Sequence, residues 1–278
     1  MKLRPLAICL AACAVLSSLS IDAATLPTST APPVLMLGEV HDNAVQHALR
    51  LKTFEDLLAT GARPALLMEQ FDRERQADID KARAAPLRPD AEAIIQAGGA
   101  SKGWNWDFYR PFIALALAND LPIVAANVSR RDAQRVMTGG LGPSGFDPEV
   151  PADIAQAHAE EISGSHCGMV DAATARRMAT AQAARDQFMA REIEAHAARG
   201  VVLLAGNGHV RKDTGVARWL TPATRARSTA VGFLEEGDPE AAAFDRVTFT
   251  PAQAREDPCA AMRRGAPMGA MGGASSPG

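Results

Sequence analysis

Little in this chain suggests an all-β fold, a nucleic-acid partner or a membrane span. Aromatic residues make up only 5% of it, with a single tyrosine, while alanine is plentiful, which favours helices around a sheet. The formal net charge is −3 and no basic stripe stands out, so nucleic acid is excluded as a partner. Beyond the N-terminal segment no apolar run is long enough to cross a bilayer. There is no phosphate-cradling glycine loop, no Gly-x-Ser-x-Gly elbow and no Cys-x-x-Cys-His. These absences argue against P-loop chemistry, a serine nucleophile on a strand-to-helix turn, and covalently attached c-type haem.

The N-terminus has the form of an export signal. Lys2 and Arg4 precede an apolar, small-sided stretch from Pro5 to Leu19, and Asp22-Ala23-Ala24 suits its end, so residues 1–24 read as a signal peptide. Leu10-Ala11-Ala12-Cys13 also resembles a lipobox. Soluble secretion to the periplasm is the expectation, and a lipid anchor at Cys13 is the alternative. After cleavage only Cys167 and Cys259 remain. In an oxidising compartment they can pair or stay as two small unpaired residues.

Four short apolar runs each lead into a polar residue with chemical use. Val34–Leu37 precedes Gly38-Glu39-Val40-His41, and Ala65–Met68 precedes Glu69-Gln70. Ile123–Ala126 precedes Asn127, and Val201–Ala205 precedes Gly206-Asn207-Gly208-His209. Runs this short, bounded by Pro or Gly and separated by helical stretches, read as buried parallel strands. Ser228–Leu234 and Arg246–Thr250 read as two more. The expected fold is α/β, a mostly parallel sheet flanked by helices. Residues 25–33 form a Pro/Thr/Ser spacer, residues 34–255 the domain, residues 129–200 a smaller helical insertion, and residues 256–278 a disordered tail.

In an open parallel sheet, ligands bind outside the carboxyl ends of the strands. Glu39, His41, Glu69, Asn127 and His209 should therefore gather along one edge. Glu39 and His41 suit a metal or an acid–base pair. The plainer alternative is a helix cap at Asp42 or Asn43 with Glu39 solvated. Asn127 could simply cap the next helix. Tyr109 could be a buried ring with one satisfied hydroxyl. His166-Cys167 lacks the paired spacing of a zinc site. His47, His158 and His196 fall on helical segments and read as surface or packing residues.

Seven short motifs, in order, carry a family resemblance: Leu-Gly-Glu-Val-His-Asp-Asn, Met-Glu-Gln-Phe, Trp-Asp-Phe-Tyr-Arg-Pro, Ala-Ala-Asn-Val-Ser-Arg, His-Cys-Gly-Met, Ala-Gln-Ala-Ala-Arg-Asp-Gln-Phe-Met-Ala and Ala-Gly-Asn-Gly-His-Val-Arg. Over about Val34 to Leu220 the chain resembles the ChaN-like haem-binding uptake proteins, related to the Tiki superfamily. The resemblance implies an exported, periplasmic or outer-membrane-associated protein of haem and iron acquisition. It also implies haem as ligand, a homodimer and an outer-membrane uptake receptor as partner.

In that family a tyrosine ligates the iron, with a histidine of the other subunit nearby. Tyr109 is the only tyrosine here, and His166 and His209 are the histidine candidates. A phenolate is a hard donor that favours ferric iron. Arg110 or Arg130 could pair with a propionate, and the long helix bearing Met189 and Ile193 could offer the porphyrin an apolar wall. The rival reading comes from the related Tiki proteases and erythromycin esterases. There Glu39, His41, Glu69 and His209 would hold a divalent metal or activate water for hydrolysis.

Overall fold

A computed structural model describes residues 33–263. Residues 1–24, read above as a signal peptide, most of the spacer and Cys13 lie outside the described residues, as do residues 264–278. Six strands, β1 (Val34–Leu37), β2 (Ala65–Asp72), β3 (Ile123–Asn127), β4 (Val201–Leu204), β5 (Ser228–Glu235) and β6 (Arg246–Thr250), form one sheet in the order β3-β2-β4-β1-β5-β6. Every pairing is parallel. All six strands stand where the apolar runs placed them.

Alternate side chains point to opposite faces of a strand, and each face here is covered. Leu66 and Met68 join Leu37, Ile123 and Leu204 in one core. Over it lie α1 (Ala44–Ala59), α3 (Ala91–Ala97) and α4 (Trp106–Ala118), contributing Phe54, Ile94 and Phe112. Ala65 and Leu67 face the other way, with Met36, Val201 and Leu203, onto Met189 and Ile193 of the 25-residue helix α7 (Ala172–His196). The short helix α2 (Gln76–Arg83) follows β2.

Between β3 and β4 the chain builds the expected helical insertion from α5 (Arg130–Gly139), α6 (Ala152–Ser165) and the first part of α7. It has small apolar clusters of its own, around Val136, Leu141 and Phe146 and around Ile162, Ala175 and Ala179.

Several local expectations change. Asn127 closes β3 rather than capping a helix, and Ser129 caps α5 through a bond from the Asp132 N–H. Helix α4 begins at Trp106 under an Asn105 cap and holds Pro111 inside it. After β4 come a single turn, α8 (Asn207–Val210), and a short 3₁₀ segment, Val216–Trp219. Residues Pro258–Arg263, assigned above to a disordered tail, form the helix α10, tethered through Cys259.

The order of the strands positions the site. β4 lies between β2 and β1, so the chain leaves β1 towards β2 on one side and leaves β4 towards β5 on the other. This is a topological switch point, where a crevice opens at the carboxyl ends. The turns after β1 and β4 meet there, with the Asn207 N–H donating to the Glu39 carbonyl at 3.0 Å. Asn43 secures the first turn. Its Oδ1 caps α1 by accepting from the Val45 and Gln46 N–H groups at 3.1 and 3.2 Å, and its Nδ2 donates to Glu235 Oε1 at 2.8 Å.

Replacing Asn43 with Ala removes the cap and the tie to β5 together. The expected loss is about 2 kcal/mol, the upper end for a cap, measured by urea denaturation.

Candidate functional site

Glu39 follows β1 and is only 2% exposed, so its carboxylate is withdrawn from water and needs partners in the protein. Arg50, from the inner face of α1 and fully buried, forms an ion pair with its Oε2 and donates to the Leu37 carbonyl at 3.0 Å. On Oε1 it accepts the Tyr109 hydroxyl and, at 2.6 Å, the Nδ1–H of His41. The plain alternative from the sequence is therefore half right. Asn43 is the cap, but Glu39 is buried and paired rather than solvated.

His47 closes the group from one turn into α1. Its Nε2 meets the His41 carbonyl at 3.0 Å, its Nδ1 stands 3.3 Å from Arg50 Nη1, and its ring stacks on Phe108 at 4.4 Å. Burial brings the Arg50 pKa down to about 10 and raises that of the Tyr109 phenol. Trp104 and Trp106 pack edge-on around the Tyr109 ring.

A second carboxylate–imidazole pair faces the first. His209 in α8 donates Nδ1–H to Asp186 Oδ1 at 2.6 Å, and His158 of α6 stands 3.3 Å from Asp186 Oδ2. Glu69 lies at a bulge where the β2–β3 register shifts between Met68 and Asp72, a device that re-aims a side chain. It accepts the Gly206 N–H at 2.8 Å, and its Oε1 is 3.8 Å from His209 Nε2.

Burial favours the neutral form of every group in this cluster, and neighbouring charges decide which groups yield to it. For His41 burial prevails and its pKa is lowered, against the pull of Glu69. For His209 burial is outweighed by Asp186, and its pKa is raised. For Glu69 and Asp186 burial is outweighed chiefly by His209, and both are lowered. The edge thus holds one imidazole whose charged form is disfavoured and one whose charged form is favoured, each meeting a carboxylate at Nδ1.

Of the five strand-end residues, Glu39, His41, Glu69 and His209 are brought together, and Tyr109, which that argument did not include, joins them from α4 through Glu39. The other residues are elsewhere. Arg110 lies on the outer side of α4, paired with Glu92 at 2.5 Å. Arg130 is exposed at the start of α5. Met189 and Ile193 are fully buried in the core against the sheet, so they do not form an open wall. His166 follows α6, buried, with Nδ1 2.8 Å from the Ile162 carbonyl and no partner for Nε2.

The alternative of a divalent metal at Glu39, His41 and His209 finds no support in the arrangement of these side chains. Among the described residues no group of three or more His, Cys, Asp or Glu side chains is arranged to hold a metal ion. The donors are instead engaged in separate pairs, His41 with Glu39 and His209 with Asp186.

Sequence reasoning missed Arg50, His47, His158 and Asp186. A signal existed for Asp186, which shares a helical face with Met189 and Ile193 on an alanine-rich helix. A lone carboxylate on a face that buries itself is rarely without a partner.

His47 also sets an acid limit on stability. Its pKa falls from 6.5 to about 4, first through burial, so folding favours the neutral ring. That contribution is whole above pH 6.5 and is lost as pH falls through 4. Stability should drop by roughly 3 kcal/mol across this window. His47→Gln should flatten the drop in urea titrations run at successive pH values.

Comparison with known proteins gives this geometry a family. No curated protein matches the chain. Among solved structures, the ChaN protein of Campylobacter jejuni, described with cofacial haem binding, is similar at TM-score 0.64 and 22% identity, over 77% of this chain and 86% of that one. That likeness concerns the fold. The type III effector HopBA1 is more distant, at TM-score 0.46 and 14% identity over 80% and 88% of the two chains. An erythromycin esterase, EreC, gives 0.45 and 13% over 81% and 78%. The family profile described as haem-binding uptake, Tiki superfamily, ChaN, matches residues 28–220, well over half of the sequence, and the chain therefore belongs to the ChaN family of haem-binding uptake proteins.

Proposed function

We propose that this protein binds ferric haem as cargo for haem and iron uptake, at the carboxyl edge of the sheet where the helical insertion faces it. The observation that carries the reading is the family match over residues 28–220. The cofacial haem of the C. jejuni relative, which shares the fold, supports it. Export to the periplasm or outer membrane belongs to the same proposal, with Cys13 as a lipid anchor in one form of it. So do a homodimer and an outer-membrane receptor that exchanges haem with it.

Tyr109 is the proposed iron ligand, as a tyrosinate. It is the chain's one tyrosine, and phenolate suits ferric iron. The structure sets conditions on this role. The phenol is fully buried, donates to Glu39 and has a raised pKa, so ligation requires the hydroxyl to leave Glu39 and the iron's own charge to displace its proton. His166 and His209 are the second-ligand candidates. Both are engaged at Nδ1, His166 by the Ile162 carbonyl and His209 by Asp186, which leaves Nε2 as the ligating atom in either. For a propionate, Arg130 is exposed, whereas Arg110 would first have to release Glu92.

The opposed shifts of His41 and His209 favour one second reading, hydrolysis without a metal. Groups whose surroundings push their pKa values apart are the usual acid–base assignment. His41, whose charged form burial disfavours, would take a proton from water as it attacks a carbonyl carbon. His209, whose charged form Asp186 favours, would give its Nε2 proton to the leaving group, while Asp186 orients it.

Titration of the mature chain with ferric haem should give a saturable, shifted Soret band, and Tyr109→Phe should remove the phenolate charge-transfer band. Failure of wild type to saturate would overturn the haem reading. Under the second reading, an activated ester such as p-nitrophenyl acetate should be cleaved, and His209→Asn should slow cleavage at least 100-fold. Equal rates in wild type and variant would remove that reading.

A further inference from the structure

The edge cluster is shut in this structure. Glu39, Glu69, Asp186 and His209 are all buried, so a ligand reaches them only if something moves. One boundary is a strap, residues 251–263, which leaves β6 and runs to the tip of α6. It is pinned at two places. Arg255 donates through Nε to Asp42 Oδ2 at 2.6 Å, next to His41 in the turn after β1. The same guanidinium donates to both oxygens of Glu235, at the end of β5, at 2.7 and 2.8 Å. Cys259 is then disulfide-bonded to Cys167, just beyond α6, with Cα atoms 5.6 Å apart.

Only three residues separate the pins, a backbone reach of at most about 14 Å. One short stretch of strap therefore links the α6 tip to the β1 turn. α6 also carries His158, which meets Asp186 and through it His209. The β4 turn in turn contacts the β1 turn through the Asn207 N–H and the Glu39 carbonyl. Strap, α6, His158–Asp186–His209 and the two turns make a closed ring around the cluster.

Apart from the pins, little fixes the strap. Residues 251, 252 and 254–257 are exposed. Its other attachments are Asn43 Nδ2 donating to the Pro251 carbonyl at 3.2 Å and the Gln253 N–H donating to Glu235 at 3.2 Å. The tip that it holds is strained and incompletely satisfied. Cys167 has φ +60°, the left-handed position after a helix where glycine is favoured, and it is followed by Gly168 at φ +69°. Next to it, His166 Nε2 is buried without a partner, which favours any state that lets water in.

We propose that the Cys167–Cys259 disulfide is a redox latch, and that its reduction by a dithiol frees the α6 tip and opens the carboxyl-edge cluster. A thiolate of the dithiol attacks one sulfur, the S–S bond breaks, and a mixed disulfide forms. The second thiol resolves it, leaving Cys167 and Cys259 as thiols and the dithiol as a cyclic disulfide, with two electrons and two protons transferred. Arg255 still holds the first half of the strap. The α6 tip keeps its packing against α7 but loses its covalent tie to the strap. The inference does not depend on which ligand the cluster takes.

The test uses the folded, oxidised full chain without ligand, before and after dithiothreitol, with Cys259→Ser as the genetic counterpart. Amide hydrogen exchange is read by mass spectrometry and histidine modification with diethyl pyrocarbonate. The expected result is faster exchange in residues 164–171, 38–43 and 206–210, and severalfold faster modification of His41 and His209. Faster exchange confined to residues 256–263, with His41 and His209 unchanged, would overturn the latch and leave a simple staple of the C-terminal helix. Global loss of protection would overturn it too, since the bond would then hold the fold rather than the site. If Cys259→Ser does not fold, the dithiothreitol arm decides alone.

Discussion

The Glu39 carboxylate is the group around which this structure is arranged. A charge withdrawn from water at the end of a parallel strand costs several kcal/mol unless cations and donors replace its hydration. Here those partners come from three elements. His41 comes from the turn after β1, Arg50 from α1 and Tyr109 from α4. Because α1 and α4 meet β1 at one carboxylate, their rotation about the sheet is fixed by a polar contact as well as by Phe54 and Phe112. Losing any one partner leaves a buried charge under-satisfied, which makes this group a strong constraint on a unique packing.

The second pair, Asp186 and His209, performs the same service for the helical insertion. Asp186 lies midway along α7, with His158 of α6 on one side and His209 of the β4 turn on the other. The insertion is thereby keyed to the strand edge, so its position and the chemistry of the edge are coupled. Any motion of α6 that admits a ligand acts on His158, then on Asp186, then on the charge state of His209. The ring of strap, helix and turns gives this coupling a physical form.

The frame was legible in the sequence. Four apolar runs ended on Glu39, Glu69, Asn127 and the Gly206–His209 turn because a buried strand must be apolar while its exit need not be. Parallel pairing then placed the ends on one side. The start of α1 was legible from its cap at Asn43. The misreadings were local competitions settled by the third dimension. Pro111 is accommodated inside α4, and Asn127 extends β3. Pro258–Arg263 is ordered because a disulfide 92 residues distant in sequence reaches it. His47 and His158 read as packing residues because nothing near them in sequence predicts a carboxylate partner.

By itself the sequence determined an α/β chain with a parallel sheet, a helical insertion and a polar edge of glutamates and histidines. Hydrophobic period and strand-end chemistry are properties of short segments, so no tertiary information was needed. Only the tertiary structure decided the partners. Tyr109 is bound to Glu39 across 70 residues, His209 to Asp186 across 23, and Glu69 to the Gly206 N–H across 137. The opposite shifts of His41 and His209 follow from those surroundings, because in a buried cluster the nearest charge, not the residue type, sets the direction of the shift.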